Sequence, residues 1–200
     1  MLGATALASR VLGLIRDRML AGTFGAGIEL DAYYAAFRIP DLVYTFIVLG
    51  ALSAGFIPFF TKRLRDGRAT KEAFIFTNQV LNVMGMTLIC VSLVGMITAE
   101  PLLLLVAPGF DAATLQQAVP LSKILYLSTI LLGVSSVFGG VLQGLKRFTL
   151  YAIAPLLYNI GIIVGAVVAS RTDAGIEAVA WGVVAGAAAH FLIQMIGSAH

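Results

Sequence analysis

The sequence predicts an all-α, polytopic membrane bundle of about six transmembrane helices, forming one unit over residues 1–200. Three observations carry that prediction. Only 12% of the 200 residues are charged and the mean hydropathy is +0.97, whereas a soluble domain is about a quarter charged. Five stretches of twenty or more residues, 42–61, 73–99, 124–145, 148–170 and 178–199, contain no Asp, Glu, Lys or Arg, and about 20 apolar residues suffice to cross a bilayer as a helix. The basic residues gather in short links, as loop charge that sets membrane orientation does.

Taken in order, residues 1–24 form a sixth candidate helix, weakened by Arg10, Arg16, Asp17 and Arg18. "TFGAGIEL" at 23–30 ends it. The charged "DAYYAAFRIPD" at 31–41 leads into the stretch 42–61, and "KRLRDGRATK" at 62–71 is a basic loop. The helix over 73–99 is followed by an acidic, Pro-containing link at 99–118, expected to hold interfacial helical turns. The helix over 124–145 meets the one over 148–170 at the tight basic turn "KRF", and "SRTDAGIE" at 170–177 precedes the last helix. Pro40, Pro58 and Pro155 lie in apolar segments, where each removes a backbone donor and should kink or break its helix. Gly140/Gly144, Gly161/Gly165 and Gly182/Gly186 are each four apart, a spacing that lets helix backbones approach closely.

Orientation follows from Lys62, Arg63, Arg65, Arg68, Lys71, Lys146 and Arg147 on one side and Arg171 alone on the other. Seven against one places the loops at 62–71 and 146–147, and with them both chain ends, in the cytoplasm. The first apolar segment lacks the basic leading region of a cleavable signal peptide. A net charge of +3 asks for no nucleic-acid partner. The single cysteine, Cys90, excludes an intrachain disulfide and reads as a small buried apolar residue.

Charge at membrane depth is expensive and faces a bundle interior or a wet cavity. It occurs in three places: the opening "SRVLGLIRDR", the stretch 31–41, and Lys123. Arg10 and Asp17 are seven apart, as are Asp31 and Arg38 with Tyr34 between them. Seven residues nearly complete two helical turns, so each of the first two helices presents a stripe with one acid and one base. Arg16 lies about 120° around from Arg10 and reaches the same cavity if the helix bends near Gly13 or its side chain snorkels. Arg18 and Lys123 suit headgroup contacts, and Asp31 suits a helix N-cap. Guanidinium groups fit phosphate, so this pattern points to an anionic, phosphate-bearing ligand inside the membrane. The spacing 10, 16, 18 does not give the every-third-residue run of a voltage sensor. The chain has no HExxH, no serine elbow and no Gly-rich phosphate loop, which argues against an enzyme and against a bound cofactor or metal. His190 reads as a packing or hydrogen-bonding residue.

Several motifs resemble the MviN/MurJ family of lipid II flippases, within the superfamily that includes multidrug and oligosaccharidyl-lipid exporters. They are "SRVLGLIRD" at 9–17, "FGAG" at 24–27, "DAYYAAFRIPDL" at 31–42, "GALSAGFIP" at 50–58, "APGF" at 107–110, "KRF" at 146–148 and "APLLYNI" at 154–160. The resemblance covers most of the chain. It implies transport of lipid-linked peptidoglycan precursor across the bacterial cytoplasmic (inner) membrane by alternating access, with no catalysis and no cofactor. It implies substrate-binding roles for Arg10, Arg16, Asp31 and Arg38. Two departures stand out: Tyr44 occupies the place of a further family arginine, and Leu49 that of an acid before "GA". The family has roughly fourteen helices in two lobes, so this chain corresponds to the N-terminal lobe, a fragment whose partner would be a C-terminal lobe. Two other readings remain: an exporter of another lipid-linked oligosaccharide or amphipathic drug, and a non-transporting membrane scaffold.

Overall fold

In a computed structural model describing residues 2–49 and 55–199, the chain is a helical bundle. Eight α-helices are present among the described residues: α1 (Leu2–Phe24), α2 (Ile28–Tyr44), α3 (Ile57–Thr61), α4 (Lys71–Ile97), α5 (Ala99–Val106), α6 (Ala112–Gly144), α7 (Phe148–Arg171) and α8 (Gly175–Ala199). A π-helical segment, Thr45–Leu49, continues α2. Four of these helices, α4, α6, α7 and α8, are long and apolar enough to cross a membrane. The 23-residue α1 is long enough but carries the opening charges.

The expected second helix differs most. Its charge-free stretch begins at 42, yet α2 begins at Ile28 and carries Glu29, Asp31, Arg38 and Asp41 within it. The charges did not exclude the helix; two of them, Arg38 and Asp41, line a cavity. Residues 50–54, the "GALSA" of the motif "GALSAGFIP", lie outside the described residues. Pro40 and Pro155 sit inside continuous helices, and the π-helical segment follows Pro40 by five residues. Pro58 stands in the first turn of α3, where a missing N–H breaks no intrahelical bond.

The basic loop at 62–71 is not irregular. Leu64–Arg65 and Arg68–Ala69 pair antiparallel as β1 and β2, and both turn residues, Asp66 and Gly67, have positive φ. Asp-Gly is the pair a type I′ hairpin selects. The Thr70 hydroxyl donates to the Arg63 carbonyl (2.8 Å) and accepts from the Ala73 amide (3.3 Å), so one side chain fixes the hairpin and caps α4. The link at 99–118 is also more ordered than its composition suggests. α5 supplies the interfacial turns, and α6 starts at Ala112. Lys123 is therefore three turns inside α6 rather than near its start, and is exposed.

Asp111 caps α6 by accepting from the Thr114 amide at 2.8 Å. Hydrogen bonding from the Thr114 side chain and backbone holds its carboxyl below the usual carboxylate range. A group depressed on folding stabilises above its unfolded pKa and loses that contribution as pH falls through the folded value. Asp111→Ala is accordingly expected to lower the melting temperature at neutral pH, with the gap to the unsubstituted protein shrinking in acid. Melting curves at both pH values check this.

The core has two parts. One packs Tyr33 of α2 with Leu121 and Leu125 of α6, Ile162 of α7 and Val183 of α8. The other packs Phe56 and Phe60 on Met84, Leu88, Val137 and Val141. α6 is the central helix, touching α2, α4, α5 and α8, while α1 packs chiefly on α7. The three glycine pairs do two different jobs. A Cβ on Gly140 or Gly144 would strike the Phe56 or Phe60 ring, so these glycines seat aromatic rings. Gly161, Gly165, Gly182 and Gly186 place α7 and α8 backbone to backbone: a Cβ on Gly182 would lie 2.6 Å from the Gly161 carbonyl oxygen.

Cys90 corrects the reading of its sequence environment, because it is exposed on α4. Its neighbours along the helix, Met86, Leu93, Val94 and Ile97, are exposed as well. An apolar residue in a spanning helix is as well placed facing lipid as facing protein, so apolar surroundings do not imply burial.

Candidate functional site

A cavity of about 350 Å³ lies where α1, α2 and α7 meet. α1 contributes Arg16, Asp17 and Leu20; α2 contributes Tyr33, Tyr34, Phe37, Arg38 and Asp41; α7 contributes Tyr158 and Ile162. Tyr33 is a buried aromatic hinge-pin, meeting the Phe37 ring edge-on at 5.1 Å and the Tyr34 ring at 5.7 Å. Such contacts fix ring positions at the wall.

The two cations are held by different means. Arg16 donates from Nε to Asp17 Oδ1 (2.9 Å), with its Nη2 2.8 Å from the same oxygen. Its Nη1 donates to Asn159 Oδ1 on α7 at 3.0 Å. Asn159 in turn donates from Nδ2 to the Pro155 carbonyl (3.0 Å) and to Ser9 Oγ (3.4 Å). Arg38 donates from Nη1 to the carbonyl of Val106, the last residue of α5, at 3.2 Å. A cation there meets the negative end of the helix dipole.

A second cavity of about 250 Å³ shares Phe37, Asp41 and Tyr158 with the first and extends it toward α6 and α8. Its walls add Tyr44, Ser128, Thr129 and His190. Behind it lies a polar knot. Ser135 Oγ is 2.7 Å from His190 Nδ1 and donates to Gln194 Oε1 at 3.1 Å. A hydroxyl has one proton, so both contacts are satisfied when His190 carries its proton on Nδ1. His190 is thus hydrogen-bonded, and it also faces a cavity.

The sequence-derived candidates divide. Arg16 and Arg38 come from separate helices to one cavity. Arg10 and Asp31 are exposed and line neither cavity. Each lies on the same helix face as a lining residue, Asp17 or Arg38, about 10 Å away along its helix axis. Lys123 lines neither. Sequence reasoning left out Asn159 and Asp41 and the aromatic walls of Tyr33, Phe37 and Tyr158. An uncharged residue in an apolar run carries no signal of cost, though Asp41 did, being an acid beside an apolar stretch. No cluster of three His, Cys, Asp or Glu side chains suited to a metal ion occurs among the described residues.

Comparison with known proteins gives the arrangement a context. Residues 20–200 match the family described as lipid II flippase MurJ. The chain belongs to the MurJ family. The Burkholderia cenocepacia lipid II flippase MurJ is 33% identical over 195 residues, covering 96% of this chain and 37% of that protein. A probable lipid II flippase MurJ of Rhizobium tropici is 32% identical over 165 residues, covering 80% of this chain and 31% of its own length. A solved MurJ structure in an inward closed conformation superposes with a TM-score of 0.82 at 25% identity, covering 98% of this chain and 41% of that one. The chain therefore shares the MurJ helical fold and is a membrane protein, and it spans about a third of the length of the curated MurJ relatives.

Proposed function

We propose that this chain is the N-terminal lobe, residues 1–200, of a transporter that moves lipid II across the bacterial cytoplasmic membrane by alternating access, without catalysing a reaction. The partners on this reading are the lipid-linked pyrophosphate sugar, the surrounding membrane lipids and a C-terminal lobe. Both ends of the chain lie on the cytoplasmic side, as the seven basic residues of the hairpin and the α6–α7 turn favour.

One observation carries the reading: Arg16 and Arg38, from different helices, face a single cavity that Asp17 and Asp41 also line. The two acids balance the two cations while no ligand is bound, which lowers the penalty for charge at membrane depth. A pyrophosphate brings its own negative charge and competes for the guanidinium donors, whose planar forks suit phosphate oxygens. Arg16 and Arg38 are the direct ligands on this view. Arg10 and Asp31 complete the substrate-binding set on the strength of the family resemblance and of their place on the same helix faces.

The test is growth of a flippase-depleted bacterium carrying the full-length gene. The unsubstituted gene is expected to restore growth, and Arg16→Ala and Arg38→Ala to fail although the protein reaches the membrane. Normal growth with both substitutions would overturn the reading.

A further inference from the structure

Arg16 has two partners of different kinds, and the difference has a chemical meaning. Asp17 is charged, half-exposed and next to Arg16 in the chain. Asn159 is neutral, buried at 7% exposure and fixed on another helix. We propose that Asn159 is the positioning residue of the Arg16 guanidinium, a neutral amide that sets which edge of that cation faces the cavity without cancelling its charge. The proposal rests on the reading that the cavity takes a pyrophosphate.

The amide orientation is forced. A guanidinium has donors only, so the side of Asn159 that meets Arg16 must be its carbonyl oxygen. The Nδ2 group then has to find acceptors, and it finds two, the Pro155 carbonyl and Ser9 Oγ. Pro155 is one turn before Asn159 on α7, and Ser9 is two turns before Arg16 on α1. Asn159 is thereby tied to its own helix and to two points of α1. Its amide cannot rotate without breaking all three contacts, so Nη1 of Arg16 is held at a fixed place.

Neutrality is the second half of the argument. An anion entering the cavity competes with Asp17 for Nε and Nη2, the donors that face outward from the Asn159 contact. Asn159 does not compete, because it holds the other nitrogen and adds no negative charge. A carboxylate in its place would keep the contact to Arg16 but lose the two donations to Pro155 and Ser9, and it would oppose the incoming anion.

That contrast supplies the experiment. Binding of undecaprenyl pyrophosphate to the detergent-solubilised full-length protein is titrated for the unsubstituted protein, Arg16→Ala, Asn159→Ala and Asn159→Asp, with melting temperatures recorded alongside. Asn159→Ala is expected to weaken binding about tenfold, the factor one charge-assisted hydrogen bond carries. Asn159→Asp is expected to weaken binding at least as much although it keeps the Arg16 contact as an ion pair, with a lower melting temperature because the donations to Pro155 and Ser9 are lost. An Asn159 that only anchors Arg16 in space would give the opposite result, with Asp binding nearly as well as the unsubstituted protein because the Arg16 contact is kept, and that outcome overturns the proposal. Weakened binding in Arg16→Ala together with full binding in both Asn159 variants overturns the proposal and leaves the functional reading in place. Full binding in Arg16→Ala overturns both. If Asn159→Ala does not fold, the Asp variant alone decides.

Discussion

Gly182→Leu is expected to abolish the folded bundle. The α7–α8 contact is built from four glycines that put backbone against backbone, and a Cβ at 182 would lie 2.6 Å from the Gly161 carbonyl oxygen and 2.9 Å from the Gly165 Cα. Neither atom can turn aside as a side chain does, so one helix must move away from the other. Separation also breaks the reciprocal fits at Gly165 against the Ala178 carbonyl and Gly186 against the Tyr158 carbonyl. The destabilisation is expected to reach about 3 kcal/mol or more, the upper end of the overpacking range. Gly22→Ala is the control, because nothing lies within 4 Å of a Cβ there, and alanine favours a helix over glycine. Melting of both variants in detergent distinguishes them. A Gly182→Leu protein that melts like the unsubstituted one would show that the seam does not hold the bundle together.

Arg16→Lys is expected to be nearly as damaging to function as Arg16→Ala, although it keeps the charge. Arg16 uses three nitrogens at once, two toward Asp17 and one toward Asn159 across to α7. An ammonium is a point charge with one nitrogen, and it cannot span both partners and still offer a flat fork to a phosphate. A loss of about tenfold or more in pyrophosphate affinity is expected, in line with the loss of at least one charge-assisted hydrogen bond. A lysine variant that binds and supports growth normally would mean that charge alone matters at this position.

How much of this was legible follows from what lipid penalises. Charge is rare in a spanning helix, so the absence of charge located α4, α6, α7 and α8, and its presence singled out Arg10, Arg16, Asp31 and Arg38, of which only Arg16 and Arg38 line the cavity. The same rule hid the start of α2, where Asp31, Arg38 and Asp41 broke the apolar run although the helix continues through them. Lipid does not distinguish an apolar side chain facing outward from one facing inward, so Cys90 was assigned to the wrong side and the partner of each glycine pair stayed open. Asn159, Tyr33 and Tyr158 escaped for a related reason. They are uncharged, and their roles come from what α1 and α2 bring against them. The Asp66–Gly67 turn, by contrast, was fully encoded locally.

The glycine seam also has a mechanical side. Two rods in contact along their backbones shear poorly, so α7 and α8 form a single beam, and Asn159 bolts Arg16 of α1 to it. Arg38 rides on α2, which is not part of that beam and which carries Pro40 and runs on into a π-helical segment. Any swing of α2 against the beam changes the gap between the two guanidinium groups. On the proposed reading, the grip on a pyrophosphate then varies with the angle of α2.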